Sequence, residues 1–133
     1  MALQLRPHGK CTYSIQNNIV IIEAEGPWNL EFFVEMHKDL RQIIIENLDI
    51  NDYKILVVFK GNALSVQDGL DYHLNNVKLG KAKAIACSLE FSNNPSFTQM
   101  LFEKVYDEAL LENRFFTTTT EALQWLEKTG EDT

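Results

Sequence analysis

The sequence predicts an α/β fold with a mixed, mostly parallel sheet of about five strands and four helices. The first observation is the apolar run Ile55–Phe59, which does not alternate with polar residues and is therefore typical of a strand covered on both faces. The second is the order of segments along the chain, two strands followed by alternating helices and strands. This order favours parallel neighbours joined by right-handed crossovers. Together they make Lys54–Gly61 the predicted central strand.

The chain begins with a predicted β-hairpin. Cys11–Ile15 alternates weakly, and Ile19–Ala24 is rich in β-branched residues. Asn17 and Asn18 lie between the two strands, and asparagine tolerates the positive φ that a tight hairpin turn requires. We expect these strands to be antiparallel neighbours and Gly26-Pro27 to end the second one.

Asn29 is the predicted N-cap of the first helix, since asparagine is favoured at that position. Trp28 and Phe33 lie at N′ and N4, the spacing of a hydrophobic staple. Trp28 is alternatively a wall against which a ligand stacks, and the sequence leaves both interpretations open. The inward stripe of this helix has helical spacing and comprises Phe33, Met36, Leu40, Ile43 and Ile44.

Ser65 is the predicted N-cap of the second helix, because Ser65 and Asp68 have the S-x-x-D spacing of a capping box. A functional hydroxyl is the alternative role of Ser65. His73 lies on the apolar stripe of this helix, and we interpret it as a packed histidine rather than as a ligand or a switch. Gly80 is expected to end the helix.

The next strand and helix follow the same alternation. Lys83–Leu89 is predicted to be a buried strand with small residues. Asn94 and Pro95 form an N-cap and first-position pair, and the helix that they start is expected to run to about Asn113. Arg114–Thr117 is then a short strand.

The last helix carries the most specific motif of the chain. Thr118 and Glu121 match a capping box at its start. The strand Arg114-Phe115-Phe116 precedes a helix with the pattern E-A-L-x-W-L, here EALQWL at residues 121–126. In this motif, and in its order of elements, the chain resembles the SpoIIAA-like family, small bacterial proteins of unestablished function. The resemblance implies a single domain over residues 1–133 with the STAS-like fold, which is related to the fold of the CRAL-TRIO group.

The resemblance also points to a regulatory segment at the start of the second helix. Anti-anti-sigma STAS proteins carry a phosphorylated serine there, within D-S-[ST]-G-[LI]. The matching segment is VQDGL at residues 66–70, in which Gly69 and Leu70 agree with the motif. Gln67 occupies the phosphoacceptor position and cannot be phosphorylated, so we expect no kinase to act at this segment.

Composition argues against several classes of partner. The chain has 133 residues and a formal net charge of −7, whereas nucleic acids and anionic membrane surfaces bind clustered lysine and arginine. No run approaches the ~20 apolar residues of a membrane helix, so no integral membrane segment is expected. The amino terminus lacks a signal-peptide core, and Cys11 and Cys87 are too few for a disulfide scaffold. We therefore expect a cytoplasmic protein with two free thiols.

Searches for catalytic and cofactor motifs find none in the sequence. It contains neither G-x-x-x-x-G-K-[ST] nor G-x-G-x-x-G, and no H-E-x-x-H. His8, His37 and His73 are too far apart along the chain for a local metal motif, and the sequence leaves open whether they meet in space. We predict no catalytic residue, no cofactor and no metal site.

The predicted binding site lies at the carboxyl ends of the parallel strands, where open α/β sheets form their ligand crevice. Few charges occur there, and the helix N-termini at this edge favour an anion. The candidate residues for binding a ligand or partner are Trp28, Asn62, Ser65, Gln67, Phe91 and Asn93.

These residues favour a non-catalytic binding or regulatory protein, whose partner is either another protein or a small, partly apolar or anionic ligand. Two alternatives remain open: an anti-sigma factor antagonist-type regulator, and an enzyme whose site is not visible in the sequence. A homodimer is expected from base rates alone, because twofold dimers are the commonest oligomers.

Overall fold

The computed structural model describes residues 6–129, which form one five-stranded sheet and four helices. In chain order the elements are β1 (Lys10–Gln16), β2 (Ile19–Trp28), α1 (Leu30–Asn47), β3 (Lys54–Ser65), α2 (Gln67–Leu79), β4 (Ile85–Ser92), α3 (Pro95–Glu108), β5 (Asn113–Phe116) and α4 (Thr119–Lys128). The strands lie side by side in the order β1-β2-β3-β4-β5, with β1 antiparallel to β2 and the others parallel. The predicted fold class is confirmed. Residues 1–5 and 130–133 lie outside the described part, so a single domain over the whole chain stays a prediction.

Strand β3 is the central strand, and both of its faces are buried. Val57 and Phe59 pack into the larger hydrophobic cluster, which includes side chains of α1, α2 and α3. Leu56 and Val58 point the other way, into a smaller cluster with α4. All four are at most 8% exposed. The unbroken apolar run therefore reflects a helix layer on each side of the sheet.

Three helices share one face of the sheet because the strands are added in one direction. Helices α1, α2 and α3 connect β2 to β3, β3 to β4 and β4 to β5. Right-handed crossovers that always step the same way place their helices on the same side. Within residues 6–129, no helix is long and apolar enough to cross a bilayer.

Helix α4 covers the opposite face. Its Ala122 and Leu126 pack against Ala84 and Ala86, and these small side chains let the helix lie close to the sheet. Lys54, the first residue of β3, is 6% exposed, and its Nζ donates to the carbonyl oxygen of Leu126 at 2.7 Å. This carbonyl lies in the last turn of α4, where the helix dipole favours a cation.

The hairpin prediction is confirmed, whereas the predicted ends of β2 and β3 are wrong. Asn17 has a φ of 56° in the turn between β1 and β2. Strand β2 does not end at Gly26-Pro27 but continues to Trp28, and β3 continues past Gly61 to Ser65. The two strands extend together, since Trp28 pairs with Ser65 after a shift in register.

Glycine is required where these extended strands approach each other. A Cβ added to Gly26 would lie 2.2 Å from the carbonyl oxygen of Asn62. Gly61, its partner across the pair, has a φ of +64°, which a residue with a side chain rarely adopts. Gly26 and Gly61 suggested that the two strands end, but they instead allow the strands to approach each other closely.

Two predicted helix starts are confirmed. The Asn29 side chain accepts a hydrogen bond from the backbone N–H of Phe32 at 3.0 Å, and the rings of Trp28 and Phe33 lie 6.3 Å apart as a staple requires. The hydroxyl oxygen of Thr118 accepts from the backbone N–H of Glu121 at 3.2 Å. Both caps satisfy a backbone donor that the helix itself leaves free.

The predicted cap at Ser65 is wrong. The N-cap of α2 is Val66, which has no side-chain capping bond, and the Ser65 hydroxyl donates to the carbonyl oxygen of Val66 at 2.9 Å. Ser65 belongs to β3, so its pairing with Trp28 holds it one residue before the cap. Strand pairing overrides the local capping preference here.

Helix α3 also differs from its prediction. Asn94 is at the N-cap and Pro95 at the first position, but the Asn94 side chain makes no capping bond. The helix ends at Glu108 rather than near Asn113, because Leu110 takes a φ of 58° that ends the helix. Residues 109–112 therefore form the turn into β5.

We expect Thr118→Ala to lower the free energy of unfolding by about 1 kcal/mol, because it removes a capping acceptor. Ser65→Ala should change it by less than about 0.5 kcal/mol, since its hydroxyl caps no helix N–H. Urea denaturation of the two variants beside the wild type is the measurement. A larger loss for Ser65→Ala than for Thr118→Ala would contradict the assignment of the caps.

Candidate functional site

A cavity of about 450 Å³ lies between the sheet and the layer of α1, α2 and α3. This volume falls within the ~300–1,000 Å³ that is usual for small-molecule sites. Its inner walls are aromatic and aliphatic, with Trp28, Phe33, Phe59 and Phe102 among them. These residues are all at most 2% exposed, so they are closely packed and each presents little surface to the cavity.

The cavity opens at the amino ends of the parallel strands. We call its exposed lining residues the mouth: Arg41, Lys78, Leu79, Gly80 and Leu110. They come from the last two turns of α1, the end of α2 and the turn after α3, and all three helices end at this edge of the sheet. Leu79 is 83% exposed and Leu110 is 93% exposed, so the apolar lining continues to the protein surface.

Three buried polar side chains form a continuous hydrogen-bonded chain on the cavity wall. The Nε2 atom of His37 lies 2.7 Å from Nδ1 of His73, and Nε2 of His73 lies 3.0 Å from the hydroxyl oxygen of Tyr106. Helices α1, α2 and α3 each contribute one of these residues. We call His37, His73 and Tyr106 the polar chain; each is at most 8% exposed.

The polar chain is uncharged at neutral pH. Burial lowers the pKa of His37 to about 4, with a smaller contribution from the positive charge of Arg41. Burial also lowers the pKa of His73 well below its ordinary value, and it raises the pKa of Tyr106 well above. Each imidazole therefore carries one ring proton, so each contact can have one donor and one acceptor. The chain can orient hydrogen bonds, but it offers no charged acid or base at pH 7.

The interpretation of His73 as a packed histidine is confirmed, and its partners are new. Its ring stacks near Phe33, with centroids 5.0 Å apart, as well as bonding His37 and Tyr106. Sequence reasoning missed the pair because the two histidines lie on different helices. The available signal was that His37 lies one turn after Phe33, on an otherwise apolar stripe of α1.

The structure brings one of the six predicted site residues into the cavity. Trp28 lines its inner end and staples α1, and its ring packs against Phe59 and Phe102, with ring centroids 6.0 and 5.8 Å away. Its role as a wall against which a ligand stacks stays a prediction. Its indole N–H has no hydrogen-bond partner among the described residues.

The other five predicted residues lie at the opposite edge of the sheet. Asn62, Gln67, Phe91 and Asn93 are exposed there, and Ser65 is half-buried. Gln67 donates to the carboxylate of Asp71 on its own helix, and the Phe91 ring lies 5.9 Å from the Lys60 ammonium. None of these five residues lines the cavity, so a ligand site at the carboxyl ends stays a prediction.

Metal ligands and thiols add no further site to residues 6–129. In this part of the chain no three His, Cys, Asp or Glu side chains are grouped so as to hold a metal ion. Cys11 and Cys87 are both free, as predicted, and Cys87 is buried in β4. Burial raises the pKa of the Cys87 thiol well above its ordinary value, so this thiol is unreactive.

The buried histidines predict that stability falls in mild acid. In the unfolded chain they take up protons near pH 6.5, whereas the folded imidazoles remain neutral to much lower pH. The unfolded state therefore binds more protons below pH 6.5, and unfolding becomes easier as the pH falls. We expect each histidine to cost about 1 kcal/mol of unfolding free energy between pH 7 and pH 5.5.

Urea denaturation at both pH values measures this loss. His37→Gln should reduce the difference between the two pH values, while His8→Gln, which retains both buried imidazoles, should not. Equal unfolding free energies at pH 7 and pH 5.5 in the wild type would contradict the neutral polar chain.

Comparison with known proteins identifies the fold. No protein-family model matches the chain, and no curated protein matches it. Among solved structures it is similar to an uncharacterized protein of the DUF3478 family from Shewanella loihica PV-4, which has a SpoIIAA-like fold. The two superpose with a TM-score of 0.62 over 95% of this chain and 98% of the other, at 15% sequence identity. The chain therefore has the SpoIIAA-like fold that its sequence predicts.

Proposed function

We propose that this protein is a non-catalytic binding protein that holds a small, largely apolar ligand in the cavity between the sheet and α1–α3. The observation that carries the proposal is an apolar space of about 450 Å³ that is open to the surface. A closed, empty cavity of that size would cost roughly 11 kcal/mol at ~24 cal/mol per Å³. This cost is comparable with the whole stability of a domain, so an opening and an occupant are the expected solution.

The shape of the cavity supports a ligand that enters from one end. The mouth carries Leu79 and Leu110, and the wall remains apolar as far as Trp28. Water held against such a wall is poorly hydrogen-bonded, and an apolar ligand that displaces it gains ~25 cal/mol for each Å² removed from water. The neutral polar chain supplies hydrogen-bonding groups on one side of this space.

The neutral state of the polar chain supports binding rather than catalysis. A general acid or base works best with a pKa near the working pH, whereas burial moves the pKa values of His37, His73 and Tyr106 away from neutrality. Their hydrogen-bond partners are each other, and no carboxylate within residues 6–129 bonds to them. The two free thiols support a reducing, cytoplasmic setting for such a protein.

A second candidate function is regulation through a protein partner at the carboxyl edge of the sheet. Val66, Phe91 and Phe97 are 53%, 52% and 61% exposed at this edge, and they would offer apolar contacts to a partner. Gln67 still occupies the position of the phosphorylated serine in the anti-anti-sigma motif. This candidate differs from the first in its location, so the two can be tested separately.

Control of such a partner by phosphorylation is not expected. Phosphopeptide mapping of protein isolated from its native cells should show no phosphate in residues 65–70, because Gln67 has no hydroxyl. A phosphate on Ser65 would instead support an anti-sigma factor antagonist with a displaced acceptor.

Ligand binding in the cavity can be followed at Trp28, because Trp125 belongs to α4 on the other side of the sheet. In a Trp125→Phe variant we expect decanol brominated at its chain end to quench Trp28 emission, since bromine quenches on contact. Unbrominated decanol should shift the emission without quenching it. In the matched Trp28→Phe variant the same brominated alcohol should leave the Trp125 emission unchanged.

A variant that fills the mouth separates cavity binding from adsorption to the surface. Ala109→Phe adds a ring at the C-cap of α3, a half-buried lining position beside Leu110 of the mouth, and should weaken binding of the neutral dye Nile red at least tenfold. Gln124→Phe, at an exposed position of α4, is the control and should bind as the wild type does. Equal quenching of both tryptophans, or equal dye binding by both variants, would overturn the proposal.

A further inference from the structure

The charged groups of the cavity are all positive, although the chain as a whole is acidic. The sequence contains 19 acidic and 12 basic side chains, yet the charged lining residues are Arg41 and Lys78, with no Asp or Glu beside them in the lining. Both cations are exposed at the mouth. The ion pairs among residues 6–129 join Lys60 to Glu23 and Lys83 to Asp52, so neither Arg41 nor Lys78 forms an ion pair within this part of the chain.

Polarity changes in a regular way along the cavity. Phe33, His37 and Arg41 follow one another at intervals of four residues on α1, so they lie on one helix face. This face leads from the aromatic inner wall, through the polar chain, to the mouth. Burial lowers the pKa of His37, and the positive charge of Arg41, one turn further along α1, lowers it further. A molecule that matches this order has an apolar body and a negatively charged head.

Helix dipoles oppose this preference, but they are weaker. The carboxyl ends of α1, α2 and α3 lie at this edge, and each is equivalent to ~0.5 negative charge. Part of that charge is satisfied, because the backbone N–H of Gly80 donates to carbonyl oxygens of Asn76 and Val77, and that of Leu111 donates to Tyr106. Two full positive charges therefore exceed the three half charges.

We propose that the ligand of the cavity is an anionic amphiphile with a carboxylate head. The head lies between Arg41 and Lys78 at the mouth, and the apolar chain extends inward toward Trp28. An arginine guanidinium binds a carboxylate through two parallel hydrogen bonds, and the lysine ammonium adds a second charge. This inference rests on the proposed function, since it assigns the chemical class of the ligand to the same cavity.

The test compares three molecules with the same chain and different heads: decanoate, decanol and decylamine. Each is titrated against the wild-type protein with bound Nile red, and displacement of the dye measures affinity. We expect decanoate to bind at least tenfold more tightly than decanol, and decylamine to bind more weakly than decanol at pH 7. Higher salt should lower the affinity for decanoate and leave the affinity for decanol unchanged.

Charge-removing variants locate the head. Arg41→Gln and Lys78→Gln should each reduce the affinity for decanoate several-fold, and together they should bring it to that of decanol. All three variants should bind decanol as tightly as the wild type does, and this result would show that the cavity is intact. Lys38→Gln removes the same charge from an exposed position of α1 outside the lining, and it should change neither affinity.

The possible failures are distinguishable. If decanol and decanoate bind the wild type equally, or if the double variant loses affinity for both to the same extent, the carboxylate assignment is wrong and the cavity remains a binding site. A preference for decylamine also overturns it. If none of the three molecules displaces the dye, and the brominated alcohol fails to quench Trp28, the proposed function itself fails.

Discussion

Burial of both faces of β3 is the constraint on which the rest of the structure depends. Val57 and Phe59 need cover on one side, and Leu56 and Val58 need it on the other. Helices α1–α3 provide the first layer and α4 provides the second. The contact of Lys54 with the Leu126 carbonyl joins the start of the central strand to the end of the last helix, so the smaller layer is tied directly to β3.

The strand order explains why the cavity lies under one helix layer. Because β2, β3, β4 and β5 follow one another across the sheet, their connecting helices lie side by side on one face. Doubly wound sheets instead reverse their strand order at a switch point, and that reversal opens a crevice at the carboxyl ends. No reversal occurs among the five described strands, so the space for a ligand arises between helices and sheet.

Local signals predicted most of the fold, and long-range pairing accounts for the errors. The Asn17 turn, the Asn29 and Thr118 caps and the β3 run depend on neighbouring residues, and all are confirmed. Ser65 was assigned a cap from the same kind of signal. Its pairing with Trp28, on a strand that passes through Gly26-Pro27, outweighs that preference, and no local pattern contains this pairing.

The candidate site was predictable only in part, for a related reason. Trp28 was chosen as a large aromatic at the carboxyl ends of the strands, and it lines the cavity, but its contact with a ligand stays a prediction. The polar chain requires His37, His73 and Tyr106 to converge from three helices, and the residues that bond each other are 36 and 33 positions apart in the chain. The histidines on the apolar stripes of α1 and α2 were visible in the sequence, but the distance between these two helices was not.

The agreement between strand order and chain order also bears on how the protein folds. Each parallel strand joins the edge left by the strand before it, so the contacts of the sheet stay comparatively short in sequence. Folding rates rise as contacts become more local, and chains made on the ribosome emerge amino terminus first. The hairpin of β1 and β2 can therefore serve as a template to which each later helix and strand is added as it is synthesised. In such an assembly the growing sheet keeps one face open until α4, the last of the described elements, closes it.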